Sequence, residues 1–427
     1  MNKANILNLK IFFTFFILRY FFVTLSGFDN FQLLPDTYWY FEQSKSVVNG
    51  NLNLLRPLFI TAPFFSYLQA LFIYLFNDNW MFFLEFFQIF FSSISGVYFF
   101  YLSKLILSSK NKSYISTFIF CFYPLTFWFT GTFSQDIWFQ SFLIIFFYYF
   151  LYSLKFGNFK YLLISAIVFC ITFHTKSHIL LFSPFIPLII LLKNNLKIRL
   201  KIKFISYFVS ISLFSTLPYG LYNLNVNNTY VIGSSGLGGT LIQGNNEEAY
   251  LNHIKLDTLT EEQLKRFKSV SYKIHEELKP KMIGKNPKEI QELYIKYSLM
   301  WIKENPKKKI ELMISHLKRF ITPGISKFWH SFDKWFAVLL LSAPIYICFY
   351  LVIIHETYLK IFKNKKTFFY DNIWVIFLLF SQIIFTVIFY YSGRFRVITL
   401  EPYYIIYSIF ILDKIKNLLY INREKQK

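Results

Sequence analysis

The sequence predicts an all-α polytopic membrane protein with about ten transmembrane helices. The chain has 427 residues, of which 55% are hydrophobic and only 16% are charged, and its mean hydropathy is +0.40. Soluble domains carry about 25% charged residues, and a chain this long and apolar cannot bury its hydrophobic surface in one soluble core. The basic residues also lie in short loops between apolar runs, as is typical of membrane topology.

A spanning helix needs about 20 mostly apolar residues, and about ten segments approach this length. The first follows Lys3 and Lys10 and has no small-residue cleavage site after it, so we expect a retained helix and not a removed signal peptide. The candidate spans lie near residues 6–27, 81–106, 113–131, 136–154, 159–175, 178–193, 203–222, 335–354, 371–391 and 397–413.

Lysine and arginine residues set the expected orientation. With these spans, every short basic cluster falls on the side of the N-terminus, which the positive-inside rule assigns to the cytoplasm together with the C-terminus. Counting the apolar run 57–77 as a further span would place most clusters outside, so we expect it to be a juxtamembrane helix on the outer face. The Phe/Ile/Lys/Asn-rich composition indicates an A+T-rich, bacterial genome, and therefore the plasma membrane.

This topology divides the chain into three parts. An N-terminal transmembrane module covers residues 1–222 and contains a first outer loop at 28–80. An extracytoplasmic segment, which we expect to be mostly helical, covers 223–334. Residues 335–427 hold the last transmembrane helices and a basic cytoplasmic tail.

Helix signals within the extracytoplasmic segment come from caps and prolines. Thr258 or Thr260 is the expected N-cap of one helix, because acidic residues follow in its first turn. Pro280 and Pro287 should break this helix. The run 288–320 then has the pattern of another amphipathic helix.

Other function classes fit the composition less well. Lys and Arg number 45 against 23 Asp and Glu, a formal net charge of +22 that is common in nucleic-acid-binding proteins. Here the cations follow membrane topology, so we expect no nucleic-acid partner. Cys121, Cys170 and Cys348 lie in apolar runs, which predicts buried thiols instead of a disulfide framework or a metal site.

Asp36 is the first candidate functional residue. It follows Pro35 and precedes an aromatic run in the first outer loop, and on a helix beginning at Asp36 it would share a face with Tyr40. It could be only the helix N-cap, or it could be a base or metal ligand at the membrane surface. Asp29 lies earlier in the same loop.

Asp136 and Lys176 lie at the outer ends of other predicted spans. Asp136 begins a helix, so a cap and a functional carboxylate are both open interpretations. Lys176 could bind an anion or only extend its ammonium to the interface. His174 and His178 flank it at i, i+4, a spacing that can bind a metal, although no glutamate completes a metallopeptidase motif.

Arg394 and Arg396 lie between the last two spans, on the outer face. They depart from the inside bias of the other loops, and a planar guanidinium matches phosphate oxygens bidentately. An interfacial pair that meets lipid head groups is the alternative. The candidate residues are far apart in sequence yet fall on one membrane face, where an acid with several cations suits a phosphate-bearing lipid substrate.

These residues also carry a resemblance to the GT-C glycosyltransferases, which are polytopic enzymes that use polyprenyl-phosphate sugars. The sequence LPDTYWYFEQSKSVVNGN (34–51) resembles the family's first-loop motif, in which Asp is followed four residues later by Tyr. The same pattern resembles that of family-39-like enzymes, which include protein O-mannosyltransferases and the aminoarabinose transferase of lipid A.

Two further motifs follow the family order in the N-terminal module. The stretch APFFSY (62–67) resembles a Pro-rich motif that precedes a juxtamembrane helix, with Ala62 in place of the usual first proline. The stretch YPLTFWFTGTFSQD (123–136) resembles the end of the third span. Gln135 holds the place of the usual acidic residue there, and Asp136 stands beside it.

The last two motifs extend the resemblance to about residues 28–413. The stretch 218–246 resembles a Pro-x-x-x-Arg-Asn…Gly…Gly-Asn-Asn segment, with Tyr222 in place of the arginine. The stretch GRFRVITLEP (393–402) resembles an Arg-Tyr-Arg motif before the last span.

The resemblance implies an inverting transfer of a sugar from a polyprenyl-phosphate donor to an extracytoplasmic acceptor, which could be a protein, a lipid or a glycan. Asp36 would be the general base, and Tyr40 would orient it or stack on the sugar. Cations would stabilise the leaving phosphate. The candidates for contact with the donor phosphate are Arg394, Arg396, Lys176 and Arg56, and those for a second acid are Asp136 and Asp29.

The expected partners are the polyprenyl-phosphate sugar lipid, the acceptor and the bilayer. Some GT-C families use a divalent metal, and the need for one is open here. A transporter or lipid flippase, or an envelope-polysaccharide polymerase or ligase, is the alternative function. Transport would place charged or broken helices at the bilayer midplane, and Arg19 is the clearest charge inside a span.

Overall fold

Helices and turns make up the described chain. The computed structural model describes residues 3–26, 35–54, 60–255, 272–323, 332–363, 368 and 372–425. These residues contain no β-strand, and several of their helices are long and apolar enough to cross a bilayer. The predicted class, an all-α polytopic membrane protein, is confirmed.

The helix bounds follow the predicted apolar segments. In the first half the helices are Lys3–Ser26, Pro35–Val48, Pro63–Phe76, Trp80–Leu107, Lys110–Cys121, Pro124–Thr130, Asp136–Phe156, Phe159–Thr175, Phe185–Leu191 and Ile198–Asn227, with 3-10 turns at Asn77–Asn79 and Ser177–Phe182. In the second half they are Leu237–Gly244, Glu247–Lys255, Tyr272–Met282, Pro287–Glu304, Pro306–Ile321, Phe332–Lys363, Ile373–Ile388, Gly393–Thr399 and Glu401–Lys425.

Within the described residues, five helical stretches have the length and composition of a membrane span. They are Asn5–Leu25, Pro63–Leu107, Asp136–Phe156, Ile198–Asn227 and Val338–Lys363. The pair Gly393–Thr399 and Glu401–Asn417, bent by 58°, adds a sixth if it is one span. Three shorter apolar helices are Phe159–Thr175, Ser177–Leu191 and Ile373–Ile388. The number of about ten spans stays a prediction.

Proline accounts for two departures from the predicted helices. The predicted span 113–131 is two helices, because Pro124 begins the second one and has no amide hydrogen to continue the first. The predicted helix 288–320 is likewise divided, because Pro306 begins a new helix after Asn305.

Pro280 departs from expectation in the opposite direction. It was expected to break a helix but lies inside the helix Tyr272–Met282, close to its end. Pro280 lacks the amide hydrogen that would bond the carbonyl four residues earlier, and the helix ends two residues later, at Met282. The predicted N-caps Thr258 and Thr260 lie outside the described residues.

The run 57–77 supplies the helix Pro63–Phe76, which folds back along Trp80–Leu107. The ring centroids of Phe76 and Phe83 are 4.0 Å apart, and those of Phe72 and Phe87 are 5.5 Å apart. The two helices therefore form a hairpin joined by a single 3-10 turn, so the stretch Pro63–Leu107 is two helices side by side, and Trp80–Leu107, with 28 residues, is the one of spanning length.

The helix Asp136–Phe156 is central in the bundle, because 83% of its most apolar stretch is buried. The Phe147 ring lies 4.4 Å from that of Trp374 and 5.6 Å from that of Phe182, so the C-terminal helices pack on the same core as the N-terminal ones. Burial on all sides fixes the direction of this helix and thereby the position of Asp136 at its start.

A buried ionic network joins the last helix to its neighbours. Arg396 is 1% exposed, and its Nε donates to Oε1 of Glu401 over 3.2 Å. Its Nη1 also donates to the backbone carbonyl oxygens of Phe320 and Thr322 over 2.9 and 2.7 Å. The hydroxyl of Tyr123 donates to the other Glu401 oxygen over 2.5 Å, so both charges have hydrogen-bond partners.

Replacing Arg396 should destabilise the fold. We expect Arg396→Leu to cost about 3–5 kcal/mol, because it leaves the Glu401 carboxylate buried without its cation. The measurement is the midpoint of thermal unfolding of the detergent-solubilised protein. The double variant with Glu401→Leu should recover part of the loss, and the exposed Arg199→Leu should change little. A midpoint for Arg396→Leu equal to the wild type would contradict this role.

Candidate active site

Four charged side chains from distant parts of the sequence meet at one end of the central helix. The Nη2 of Arg394 donates to Oδ2 of Asp36 over 2.9 Å, and its Nη1 lies 3.7 Å from Oδ2 of Asp136. The other oxygen of Asp136 accepts a hydrogen bond from the Lys176 ammonium over 2.5 Å. We refer to Asp36, Asp136, Lys176 and Arg394 as the charge cluster.

The helix Pro35–Val48 brings Asp36 into the charge cluster. It begins at Pro35, whose ring favours the first helical position. Asp36, for which an N-cap role was one of the open interpretations, lies in the first turn of the helix, where the helix dipole favours a carboxylate. Further along, the Ser44 hydroxyl donates to the backbone carbonyl oxygen of Ser66 over 2.9 Å, which fastens this helix to its neighbour Pro63–Phe76.

The two carboxylates of the cluster differ in exposure. The Asp36 side chain is 36% exposed, whereas the Asp136 side chain is fully buried. Asp136 also accepts a hydrogen bond from the Ser134 hydroxyl over 2.9 Å. Cations on two sides compensate its charge. Asp36 is therefore the carboxylate that a ligand can reach, and Asp136 holds the cations in place.

The cations of the cluster also differ. Lys176 is 3% exposed, pairs with Asp136, and lies 4.6 Å from the centroid of the Phe395 ring. The Arg394 side chain is 25% exposed. A guanidinium carries five N–H donors, so Arg394 can contact both carboxylates and still offer donors to an incoming anion.

A second buried cation supports the segment that precedes Arg394. The Lys309 ammonium donates to Oδ1 of Asn245 over 2.5 Å and to the backbone carbonyl oxygen of Val387 over 2.9 Å. The Asn245 amide donates to the carbonyl oxygen of Ile388 over 3.0 Å. A cation is favourable at the C-terminus of a helix, where these carbonyls lie. Burial lowers the pKa of Lys309 to about 8.

Gly244 allows this contact because it has no side chain. A Cβ at this position would lie 1.6 Å from the carbonyl oxygen of Phe389, closer than any real atom can approach. The segment 223–334 therefore touches the chain directly before the loop that carries Arg394. The Gly-Asn-Asn motif of the resemblance includes Gly244 and Asn245, whereas Lys309 was not predicted as a site residue, since nothing in the sequence places it against carbonyls 78 positions away.

Arg396 does not join the charge cluster, although it was predicted beside Arg394 as a phosphate ligand. Its guanidinium is buried against Glu401 and backbone carbonyl oxygens, and these contacts would have to break for a phosphate to reach it. The physical reason is the short helix Gly393–Thr399, on which residues two apart point to different sides. We correct its role to one of support.

The remaining predicted residues have separate surroundings. Tyr40 is 5% exposed and packs its ring 5.3 Å from that of Phe65. This burial does not suit stacking on a sugar. Arg56 and Asp29 lie outside the described residues.

The histidine pair does not form a metal site. Nε2 of His174 lies 3.2 Å from the carbonyl oxygen of Ser215, while Nε2 of His178 lies 3.4 Å from the hydroxyl of Thr399. The two imidazoles therefore face different elements. The expectation that their i, i+4 spacing could bind a metal rests on one continuous helix, but a 3-10 turn begins between them.

The charge cluster is also a poor fit for a divalent metal. Among the described residues, no three His, Cys, Asp or Glu side chains come together where a metal could be held. A metal shared by the Asp36 and Asp136 carboxylates would have to lie between them, and that space holds the Arg394 guanidinium. The residues present therefore do not fit a divalent metal.

This arrangement can carry out two chemical tasks. The exposed Asp36 carboxylate can accept a proton from a hydroxyl group. The Arg394 guanidinium can bind phosphate oxygens, with Lys176 behind it. An acid–base group next to an anion site is what displacement of a phosphate by a hydroxyl group requires.

Comparison with known proteins relates part of the chain to one enzyme family. Residues 60–219 match the family model of dolichyl-phosphate-mannose-protein mannosyltransferases. The matched region includes Asp136 and Lys176 and ends before the segment 223–334. No curated protein sequence matches the chain significantly.

Solved structures share the fold. The archaeal oligosaccharyltransferase AglB of Archaeoglobus fulgidus, in complex with an inhibitory peptide and a dolichol-phosphate, superposes with a TM-score of 0.54 at 12% identity, covering 98% of this chain and 51% of that one. An oligosaccharyltransferase of the same organism, tethered to an acceptor peptide, gives a TM-score of 0.55 at 13% identity, with coverage of 97% and 50%.

These structural matches concern the fold alone, because identity is low and the chain spans about half the length of the oligosaccharyltransferases. The family model adds a sequence relationship in the N-terminal module. The family model thus relates residues 60–219 to dolichyl-phosphate-mannose-protein mannosyltransferases, and the solved structures share the fold over nearly the whole chain.

Proposed function

We propose that the protein is an inverting glycosyltransferase that moves a sugar from a polyprenyl-phosphate donor to a hydroxyl group of an acceptor outside the plasma membrane. The observation that carries the proposal is the contact between Asp36 and Arg394, 2.9 Å apart across most of the sequence. It joins a reachable carboxylate to a reachable cation at the end of the helix bundle. The relationship to the GT-C superfamily supports the same reading.

Asp36 acts as the general base in this proposal. The acceptor hydroxyl gives its proton to the carboxylate while its oxygen attacks the anomeric carbon of the sugar. The bond from that carbon to the phosphate oxygen breaks, and the phosphate leaves with the electron pair. Attack opposite to the leaving group inverts the configuration of the sugar.

Arg394 stabilises the leaving phosphate. Charge on the phosphate oxygen grows as the glycosidic bond breaks, so a fixed guanidinium favours the transition state over the ground state. Asp36 and Asp136 hold Arg394 in position before the donor binds. Lys176 adds positive charge from the buried side of the charge cluster, where its ammonium remains paired with Asp136.

The first-loop helix offers surface for the sugar. Tyr38 and Trp39 follow Asp36 closely and are 58% and 41% exposed. Exposed aromatic rings suit the apolar faces of a sugar, while their polar edges stay hydrated. We therefore assign sugar contact to Tyr38 and Trp39 in place of the buried Tyr40.

Asp36→Asn is the direct test of the base. In membranes supplied with labelled polyprenyl-phosphate sugars, loss of sugar from the lipid should fall by about a hundredfold or more, because the amide cannot accept the proton. Glu42→Gln removes an exposed acid from the same helix and should leave turnover unchanged. Equal turnover by wild type and Asp36→Asn would remove Asp36 from the chemistry. Lipid crossing the bilayer without loss of sugar would favour transport.

Arg394→Lys tests the phosphate contact. Lysine keeps the charge but cannot bridge two carboxylates with a planar fork, so we expect kcat/KM for the donor to fall by about tenfold or more. Arg199→Lys, an exposed arginine far from the cluster, is the matched control. An unchanged kcat/KM in Arg394→Lys would show that only the charge matters.

Gly244→Ala tests whether the extracytoplasmic segment positions Arg394. The added Cβ must displace the Phe389 carbonyl, and overpacking of this kind costs about 1–3 kcal/mol. We expect lower donor turnover from protein that still folds. Gly239→Ala is the matched control. Gly239 lies on the same short helix as Gly244, and a Cβ added there would meet no atom within 4 Å. Equal loss in both variants would argue against positioning.

A further inference from the structure

A cavity of about 660 Å³ lies at the end of the bundle opposite to the charge cluster. It is bounded in part by the C-terminal end of the helix Asp136–Phe156, whereas Asp136 begins that helix. A helix of 21 residues, at about 1.5 Å per residue, separates the two ends by about 30 Å. This is the thickness of the hydrocarbon core of a bilayer, so the cavity is separate from the proposed active site.

Lysines from four separate parts of the chain line this cavity, and they outnumber its acids. Among the described lining residues the cations are Lys112, Lys155, Lys193 and Lys414, and the one carboxylate is that of Asp413. Asp413 pairs with Lys112 over 2.6 Å. By contrast, the Lys155 ammonium donates to the carbonyl oxygen of Leu105 over 3.4 Å, and the Lys414 ammonium lies 5.7 Å from the Phe410 ring centroid.

The rest of the lining is partly amide and partly apolar. Asn195 donates from Nδ2 to the carbonyl oxygen of Leu154 over 2.9 Å, which holds the turn with Lys193 against the end of the central helix. Leu105 and Leu151 are among the apolar residues of the wall. Ammonium groups beside leucine side chains match the region of a lipid where the phosphate meets the glycerol and the first methylene groups.

We propose that this cavity binds the phosphate-bearing headgroup of an anionic phospholipid. The positive-inside rule explains why lysines lie at this end, but it requires only that they lie in loops, not that they line one cavity. In the expected orientation this end faces the cytoplasm, whose leaflet carries anionic lipids that attract lysines near the surface. The excess of ammonium over carboxylate groups favours an anionic lipid over a zwitterionic one.

The test measures lipid binding and not sugar transfer, so it is independent of the proposed function. Full-length protein in detergent is titrated with phosphatidylglycerol or phosphatidylcholine, and bound lipid is counted by native mass spectrometry. The wild type should prefer phosphatidylglycerol. The variant Lys155→Gln/Lys193→Gln/Lys414→Gln should bind it at least about tenfold more weakly, since each lysine near an anionic headgroup contributes to the attraction.

Two controls distinguish the cavity from general surface charge. Lys110→Gln/Lys160→Gln/Lys197→Gln removes the same charge from exposed lysines in neighbouring loops outside the cavity wall, and it should bind like the wild type. Asp413→Asn removes the acid of the cavity and frees Lys112, so it should bind phosphatidylglycerol more tightly than the wild type. Because Asp413→Asn should increase the affinity for phosphatidylglycerol, whereas a loss of folding would decrease it, the test remains decisive even if the triple variant does not fold.

Three results would overturn the proposal. Equal weakening in both triple variants would assign the binding to overall charge. Weaker binding by Asp413→Asn would contradict the electrostatic argument. Full competition by sn-glycerol 3-phosphate, without preference for the intact lipid, would make the cavity a site for free phosphate esters.

Discussion

The contact of Arg394 with two carboxylates is the interaction on which the functional end of the molecule depends. A charge next to apolar helices is costly unless it is paired. Asp36, Asp136 and Lys176 supply that pairing, and each comes from a different element of the chain. The cluster is complete only when the first-loop helix, the central helix and the segment before the last helix are docked together. Assembly of the fold and assembly of the site are therefore the same event.

Other buried charges follow the same principle but serve structure. Arg396 pairs with Glu401 and donates to backbone carbonyl oxygens. Lys309 donates to Asn245 and to the carbonyl oxygens at the end of a helix. Each joins two elements through hydrogen bonds that water cannot replace once the groups are buried. These residues are less exposed than Asp36 and Arg394, whose side chains are partly accessible to solvent. The proposed catalytic groups, Asp36 and Arg394, are therefore the charged side chains that are both paired and accessible to a ligand.

The two ends of the bundle differ in electrostatic character. At one end, two acids and two cations balance within the charge cluster, which suits a site where charge is rearranged during a reaction. At the other end, the described lining of one cavity holds four lysines and one aspartate, which suits stable contact with a bound anion. The helices between the ends are held by aromatic packing that carries little charge, as the contact of Phe147 with Trp374 illustrates.

The sequence by itself determined the helical membrane class and the grouping of Asp36, Asp136, Lys176 and Arg394 on one face. Apolar length and lysine distribution depend on composition along the chain, so both can be read without coordinates. Tertiary structure alone decided which of the charged side chains pair with one another and which are buried. Arg396 follows Arg394 by two positions, yet packing turned it into the core, and Lys309 had no local signal because its partners are carbonyl groups of a distant helix. Pairing of side chains depends on which helices touch, and that is set by burial over the whole bundle.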